Sequence, residues 1–299
     1  MRIVIAGGTG FLGGALARAL TADRHDVVVL TRGGGLGPAG RAMQWRPDGE
    51  VGPWAREVDA ADVVVNLAGE SIAGRRWSAD HKRRILASRV EATRSLVAAI
   101  GAAAKPPGVF VSGSAVGFYG PLGDEVATED HPAGSDFLAD VCVQWERTAA
   151  AAASARTRLV IIRTGLVLEK DGGALPQMLP PFRFGAGGPV GSGRQYWPWI
   201  HRQDWIDLVR WAIATPAVGG PLNATAPTPV TNAEFARALG RAMHRPAFMP
   251  APAFALRLLL GEMADALLLS GQRAVPAKAE RLGFRFQYPQ LDRALAAIF

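Results

Sequence analysis

The stretch "IAGGTGFLGG", residues 5–14, restricts the fold of this chain more than any other ten residues. It follows the apolar run "RIVIA" (2–6) and opens a segment whose Leu12, Ala15, Leu16, Ala19 and Leu20 share one helical face. That reads as strand, tight loop, helix. Gly7, Gly10 and Gly13 recur at three-residue spacing. The first permits the turn, the second lets the backbone approach a pyrophosphate, and the third lets the helix pack against the sheet. The helix N-terminus then offers free N–H groups to phosphates. In this context the pattern predicts dinucleotide binding, with Thr9, Phe11 and Leu12 of the same loop among the contacts.

The pattern repeats down the first half of the chain. "DVVVLT" (26–31), "ADVVVNLA" (61–68), "GVFVSG" (108–113) and "RLVIIRT" (158–164) are apolar runs of strand length. Helical segments separate them, the clearest from Ser78 to about Ala103 and over about 135–153. Alternation of this kind predicts an α/β fold, a Rossmann-type doubly wound parallel sheet covered on both faces. Residues 1–165 are expected to form that domain, its sheet completed by 198–225. Residues 166–299, richer in Gly and Pro, are expected to form a smaller C-terminal α+β substrate-side lobe. "TNAE" (231–234) predicts a capping box, and the tail predicts a short strand and a last helix.

Composition narrows the classes. With 299 residues and 49% hydrophobic content, the chain can bury a large core. Its single cysteine, Cys142, excludes a disulfide framework and a cysteine metal centre, and no metal site is expected. The start "RIVIAGG" carries no leader pattern. Charges interrupt "FALRLLLGEMADALLLS" (254–270), which therefore suits two short amphipathic helices better than a membrane span of about 20 residues. A cytoplasmic protein without membrane contact is expected. The formal charge of +7 comes almost entirely from dispersed arginines. No recognition motif accompanies them, so no nucleic-acid partner is expected. Oligomeric state, monomer or homodimer, is left open.

Two arginines bear on the cofactor. At the end of the second strand, where an acid would hold a ribose 2′-hydroxyl, the chain has Thr31 and Arg32. Arginine can grip a 2′-phosphate with a forked hydrogen bond, which favours NADP(H) over NAD. A plain solvated loop residue is the other reading of Arg32. On the helix from Ser78, Arg89 falls on the apolar stripe of Leu86, Thr93, Leu96 and Ile100. A cation turned inward needs a partner, either a core carboxylate or the cofactor.

The motifs "GGTGFLG", "NLAGE" (66–70) and "SGSAVGFYG" (112–120) resemble the extended short-chain dehydrogenase/reductase superfamily. "NLAGESI", "RRW", "WE" (145–146), "GGPVGSG", "WPWIH", "LNATAP" and the "GQRAVPAK…LGF" tail resemble one atypical branch of it, the nucleoside-diphosphate-sugar epimerase-like proteins. That branch carries a characteristic C-terminal domain, here 250–299. The resemblance covers essentially the whole chain and implies a Rossmann core binding NADP(H). It also implies that Gly7, Gly10 and Gly13 match the family's phosphate loop, and that Leu67 and Ala68, with Gly69, pass the adenosine ribose. Arg89 stands where extended members carry an asparagine beside the cofactor. Val167 matches the segment at the nicotinamide end, and Ser114 the serine that binds the substrate's reacting oxygen.

In active members a tyrosine exchanges the proton, and a lysine four residues later lowers its pKa. Aligned on Glu146, those seats hold Leu138 and Cys142. The tyrosines are Tyr119, Tyr196 and Tyr288, and four residues after them stand Gly123, Ile200 and Asp292, so no Tyr-x-x-x-Lys exists. Ser114, Tyr119 and Glu70 are the catalytic candidates that remain, with Arg76, Trp199 and His201 also near the mouth. Packing roles are the alternatives for Tyr119 and Glu70. The expected protein is an NADP(H)-binding epimerase or oxidoreductase of slow turnover, acting on a small molecule, with nucleotide sugars among the candidates. A non-catalytic NADP(H) sensor or scaffold is the alternative.

Overall fold

The computed structural model describes residues 1–33 and 41–299. Seven parallel strands form the central sheet: β1 (Arg2–Ala6), β2 (Asp26–Thr31), β3 (Arg41–Gln44), β4 (Val63–Asn66), β5 (Val109–Ala115), and the strands Arg158–Thr164 and Gly220–Ala224. Their order is Gly220–Ala224, Arg158–Thr164, β5, β4, β1, β2, β3. The chain winds outward from β1 in both directions, so a crevice opens at the carboxyl ends of the central strands, the place where such sheets bind ligands.

The strands alternate between two cores because side chains along a strand point to opposite faces. Ile3 and Ile5 pack with Val27, Val29, Val63 and Val65 under the helix Phe11–Ala22 and the helix Arg202–Ala214. Val4 and Ala6 pack with Val28, Val64 and Phe110 under the helix Ala79–Ala102. Both faces are apolar, which explains why the strands read as continuous hydrophobic runs. Ser78 caps the helix Ala79–Ala102 by accepting from the His81 N–H, and Asp136 caps the helix Phe137–Ala150 through the Ala139 N–H at 2.8 Å. Each such cap contributes about 1 kcal/mol.

The second lobe has its own core, in which Leu175, Leu179, Trp199, Phe235, Leu239 and Leu295 are buried. Within 198–225, only Gly220–Ala224 joins the central sheet. The strand Trp199–His201 pairs instead with Leu166–Leu168 in a separate ribbon. The capping box at Thr231 and Glu234 forms as its spacing predicts. The expected strand in the tail is absent among the described residues. Asp204 takes the backbone N–H groups of Gln287 and Tyr288 at 2.7 and 2.9 Å, so these amides have no strand partner to seek. The greasy stretch is the helix Ala253–Leu260, a short turn Glu262–Ala264 and a π-helical turn Asp265–Leu269. No helix among the described residues is long and apolar enough to cross a membrane.

Candidate functional site

The glycine loop closes against β4. Gly7 has φ +78°, and a Cβ there would stand 2.6 Å from the Leu67 carbonyl carbon. A Cβ on Gly13 would stand 2.3 Å from the Gly7 oxygen. Side chains at either position would push loop, helix and β4 apart. No side chain caps the helix Phe11–Ala22 at Gly10, so its first N–H groups are open to a ligand.

From this loop a cavity of about 560 Å³ runs along the strand ends to β5 and the strand Arg158–Thr164. Gly7, Gly10, Phe11, Leu12, Gly13, Leu67, Gly69 and Arg89 line the β1–β4 end, and Ser114 the β5 end. Ala68 turns away onto the core, its N–H donating to the Asn66 Oδ1, and the Thr9 side chain is exposed. Thr31 ends β2 beside β1, and the exposed Arg32 follows it. Neither lines the cavity.

Arg89 is 8% exposed, and no carboxylate among the described residues lies within ion-pairing distance of it. Its guanidinium donates to the Ile85 carbonyl of its own helix at 2.9 Å and lies 5.3 Å from the Trp145 ring centroid. Burial pulls its pKa below the ordinary value, opposed in part by the more distant Glu70 carboxylate. An arginine nonetheless stays protonated. A buried charge without a counter-ion is costly, and the cavity beside it is where an anion would sit. The indole N–H groups of Trp145 and Trp197, which also line the cavity, are buried without partners.

Ser114 lies at the cavity floor, but its hydroxyl is committed. It donates to Glu146 Oε1 at 2.6 Å. Arg163 grips the same carboxylate with two bonds of 2.9 Å, from Nε and Nη2. Burial lowers the Arg163 pKa, yet the hydrogen bonds and charge of Glu146, with Tyr119, outweigh it and the net shift is upward. The cavity side of the Ser114 oxygen therefore offers lone pairs. Sequence reasoning missed this pair. The signal was Arg163, a cation inside the apolar strand "RLVIIRT", which needed a buried acid.

Three further expected contacts do not line the cavity. Tyr119 does not line the cavity. It is 1% exposed, donates to Asn223 Oδ1 at 2.6 Å and accepts from Arg163 at 3.1 Å. Burial, only partly offset by Arg163, holds its pKa above the ordinary value, so it is a packing residue with a satisfied hydroxyl. Glu70 faces Arg84 (3.5 Å) and His81 (3.6 Å) of the helix it precedes and Arg75 (3.8 Å) of the intervening loop, and also lies outside the lining. Val167 packs in the core. Its neighbour Leu166 lines the cavity, on the opposite face of the strand as alternation requires, and so does Gly165 just before the strand.

Of the other candidates near the mouth, Trp199 is core, donating to the Thr228 carbonyl at 3.2 Å. His201 caps the helix Arg202–Ala214 through the Gln203 N–H. Arg76 packs against Gly261.

Leu138 and Cys142 do line the cavity, on one face of the helix Phe137–Ala150 with Val141 and Trp145. The Cys142 thiol points at the Ala115 carbonyl, and burial, with the charge of Glu146 next, pushes its pKa up to about 11. It stays protonated at neutral pH. Iodoacetamide should label it on the order of a hundredfold more slowly than a free thiol at pH 8, judged from thiolate fractions. The rate should climb as pH approaches 11. Labelling at the free-thiol rate would show an accessible, unshifted cysteine. The second lobe adds Met178, Tyr196, Trp197, Ala266, Leu267 and Gln272 to the lining; Trp197 and Gln272 lie in the motifs "WPWIH" and "GQRAVPAK", and the others carried no site signal in the sequence. No cluster of three His, Cys, Asp or Glu side chains able to hold a metal occurs among the described residues.

Sheet order, glycine loop and cavity define a dinucleotide-binding α/β protein. The profile described as the NAD dependent epimerase/dehydratase family matches residues 3–224, and one described as a domain of unknown function (DUF1731) matches 251–298. The chain belongs to the NAD-dependent epimerase/dehydratase family. It is 43% identical over 296 residues to epimerase family protein ML0860 of Mycobacterium leprae, covering 98% of this chain and 94% of that one. The crystal structure of human epimerase family protein SDR39U1 with NADPH matches with TM-score 0.90 and 37% identity, over 100% of this chain and 99% of that one. A nucleoside-diphosphate sugar epimerase from Corynebacterium glutamicum matches with TM-score 0.81 and 34% identity, over 100% of this chain and 58% of that one.

Proposed function

We propose that this chain binds NADP(H) in the cavity and presents it to a substrate at Ser114, as an atypical short-chain dehydrogenase/reductase without the Tyr-x-x-x-Lys pair. The observation that carries the reading is Arg89, a buried guanidinium with no carboxylate at ion-pairing distance among the described residues, set in the same cavity as the phosphate loop. The loop Gly7–Gly13 and the open helix start would hold the pyrophosphate, and Arg89 a phosphate or ribose oxygen. Arg32, at the end of β2, suits a 2′-phosphate. The NADPH held by the human relative supports the same preference. Bound cofactor would supply or accept hydride.

The protein's own groups set the proton chemistry. Ser114 donates to Glu146, so its oxygen can accept a hydrogen bond from a substrate hydroxyl. Leu138 cannot exchange a proton, and Cys142, held at about 11, is a poor acid near neutrality. General acid catalysis contributes roughly 10²–10⁴-fold, so reduction of a carbonyl should be slow by about that factor. The same two residues favour a second reading, a non-catalytic NADP(H) sensor. Consumption of NADPH across a carbonyl panel supports the enzyme. Tight binding with no consumption supports the sensor.

Cofactor choice has its own test. Arg32→Ala should weaken NADPH binding by about 10- to 100-fold, the worth of a charged hydrogen bond, and leave NADH affinity nearly unchanged. Equal losses for both cofactors, or none, would remove Arg32 from the 2′-phosphate site.

A further inference from the structure

We infer that the substrate end of the cavity takes a neutral, largely apolar carbonyl compound or its alcohol, and not a nucleotide sugar. The inference rests on the cavity being the NADP(H) site. Beyond Ser114 the walls are Ile72, Leu138, Val141, Met178, Trp197 and Leu267. Leu138 and Val141 come from the helix that would otherwise carry tyrosine and lysine. Met178 and Leu267 are supplied by two helical segments of the second lobe, the latter by the π-helical turn.

A nucleotide sugar brings two more negative charges, and burying them requires cations. Among the described lining residues Arg89 is the one cation, and it stands by Gly69, toward the glycine loop. Once it serves the cofactor, no other cation in the described lining is left for a second diphosphate. Arg273 does not line the cavity; its guanidinium stacks on the Tyr196 ring at 5.2 Å, and its Nε is buried without a partner. Besides Arg89 the polar groups of the lining are uncharged: Ser114, Cys142, Tyr196, Gln272, the unpartnered Trp145 and Trp197 N–H groups, and the Thr164 and Ser270 hydroxyls, both already hydrogen-bonded to protein. Pockets with apolar walls and a few uncharged polar groups bind and orient a small ligand with one oxygen to satisfy.

The probes are 2-decanone, 2-decanol and UDP-glucose, titrated calorimetrically into protein with and without NADPH. NADPH itself is titrated first. The expected result is ketone or alcohol binding to the NADPH-loaded protein at least about tenfold tighter than UDP-glucose. Leu267→Asp, on a half-exposed turn, should weaken the decanone by about tenfold or more while NADPH affinity stays within about twofold. UDP-glucose binding that equals or displaces the ketone would overturn the inference. So would the absence of ketone and alcohol binding, or ketone binding indifferent to Leu267→Asp. Failure of NADPH to bind, with ketone binding intact and sensitive to Leu267→Asp, would sink the cofactor reading and leave the apolar site standing.

Discussion

Arg163→Met should destabilise the protein by about 3–5 kcal/mol, the typical cost of removing one partner of a buried ion pair. Glu146 is 8% exposed and Arg163 3%, and each carboxylate oxygen takes a 2.9 Å bond from the guanidinium. Removing the arginine strands a carboxylate with the Ser114 hydroxyl as its remaining side-chain donor. It also removes a donor from the Tyr119 oxygen and from the Glu129 carbonyl. The double variant Arg163→Met/Glu146→Leu should recover much of the loss, because two apolar groups replace two charges. Denaturant unfolding of the wild type, both single variants and the double variant closes the cycle. A loss below about 1 kcal/mol for Arg163→Met, within the range of exposed pairs, would mean that the pair is solvated. The double variant has a second use. It frees the Ser114 hydroxyl from Glu146 while leaving the glycine loop and Arg89 in place. NADPH affinity should therefore survive in it even where substrate orientation at Ser114 does not.

The central sheet was legible because its strands are buried on both faces and alternate with helices. Such segments carry their own signal, and β1, β2 and Arg158–Thr164 begin and end where the apolar runs do. The edge strand β3, "RAMQ", was not legible, since an exposed edge selects no hydrophobic pattern. Gly220–Ala224, "GPLNA", was hidden for a different reason. The span 198–225 was expected to complete the sheet, but the strand itself carries a glycine and a proline, and its membership rests on pairing with Arg158–Thr164, a contact between distant residues.

In the cavity, the glycine loop and Arg89 could be read from spacing and periodicity alone. Tyr119 and Glu70 could not be placed, because sequence proximity to Ser114 or to β4 says nothing about which way a side chain turns. Tyr119 turns into the Arg163–Asn223 network, and Glu70 turns to Arg84 and His81 of the following helix and to Arg75 before it. Met178, Tyr196 and Leu267 reach the cavity from the second lobe across long sequence distances, and no local rule finds such residues.

The central claim is that a buried arginine without a counter-ion marks the cofactor site. The direct measurement is a calorimetric titration of NADPH into the wild type and Arg89→Ala, with thermal unfolding of both recorded in the absence of cofactor. The wild type should bind one NADPH per chain. Arg89→Ala should bind at least about tenfold more weakly, since a charged hydrogen bond is worth about 1.5–3 kcal/mol. The cofactor-free variant should melt no lower than the wild type, because deleting an uncompensated buried charge removes a cost rather than a support. Undiminished NADPH affinity in Arg89→Ala, or a large loss of cofactor-free stability, would contradict the account and make Arg89 a structural residue.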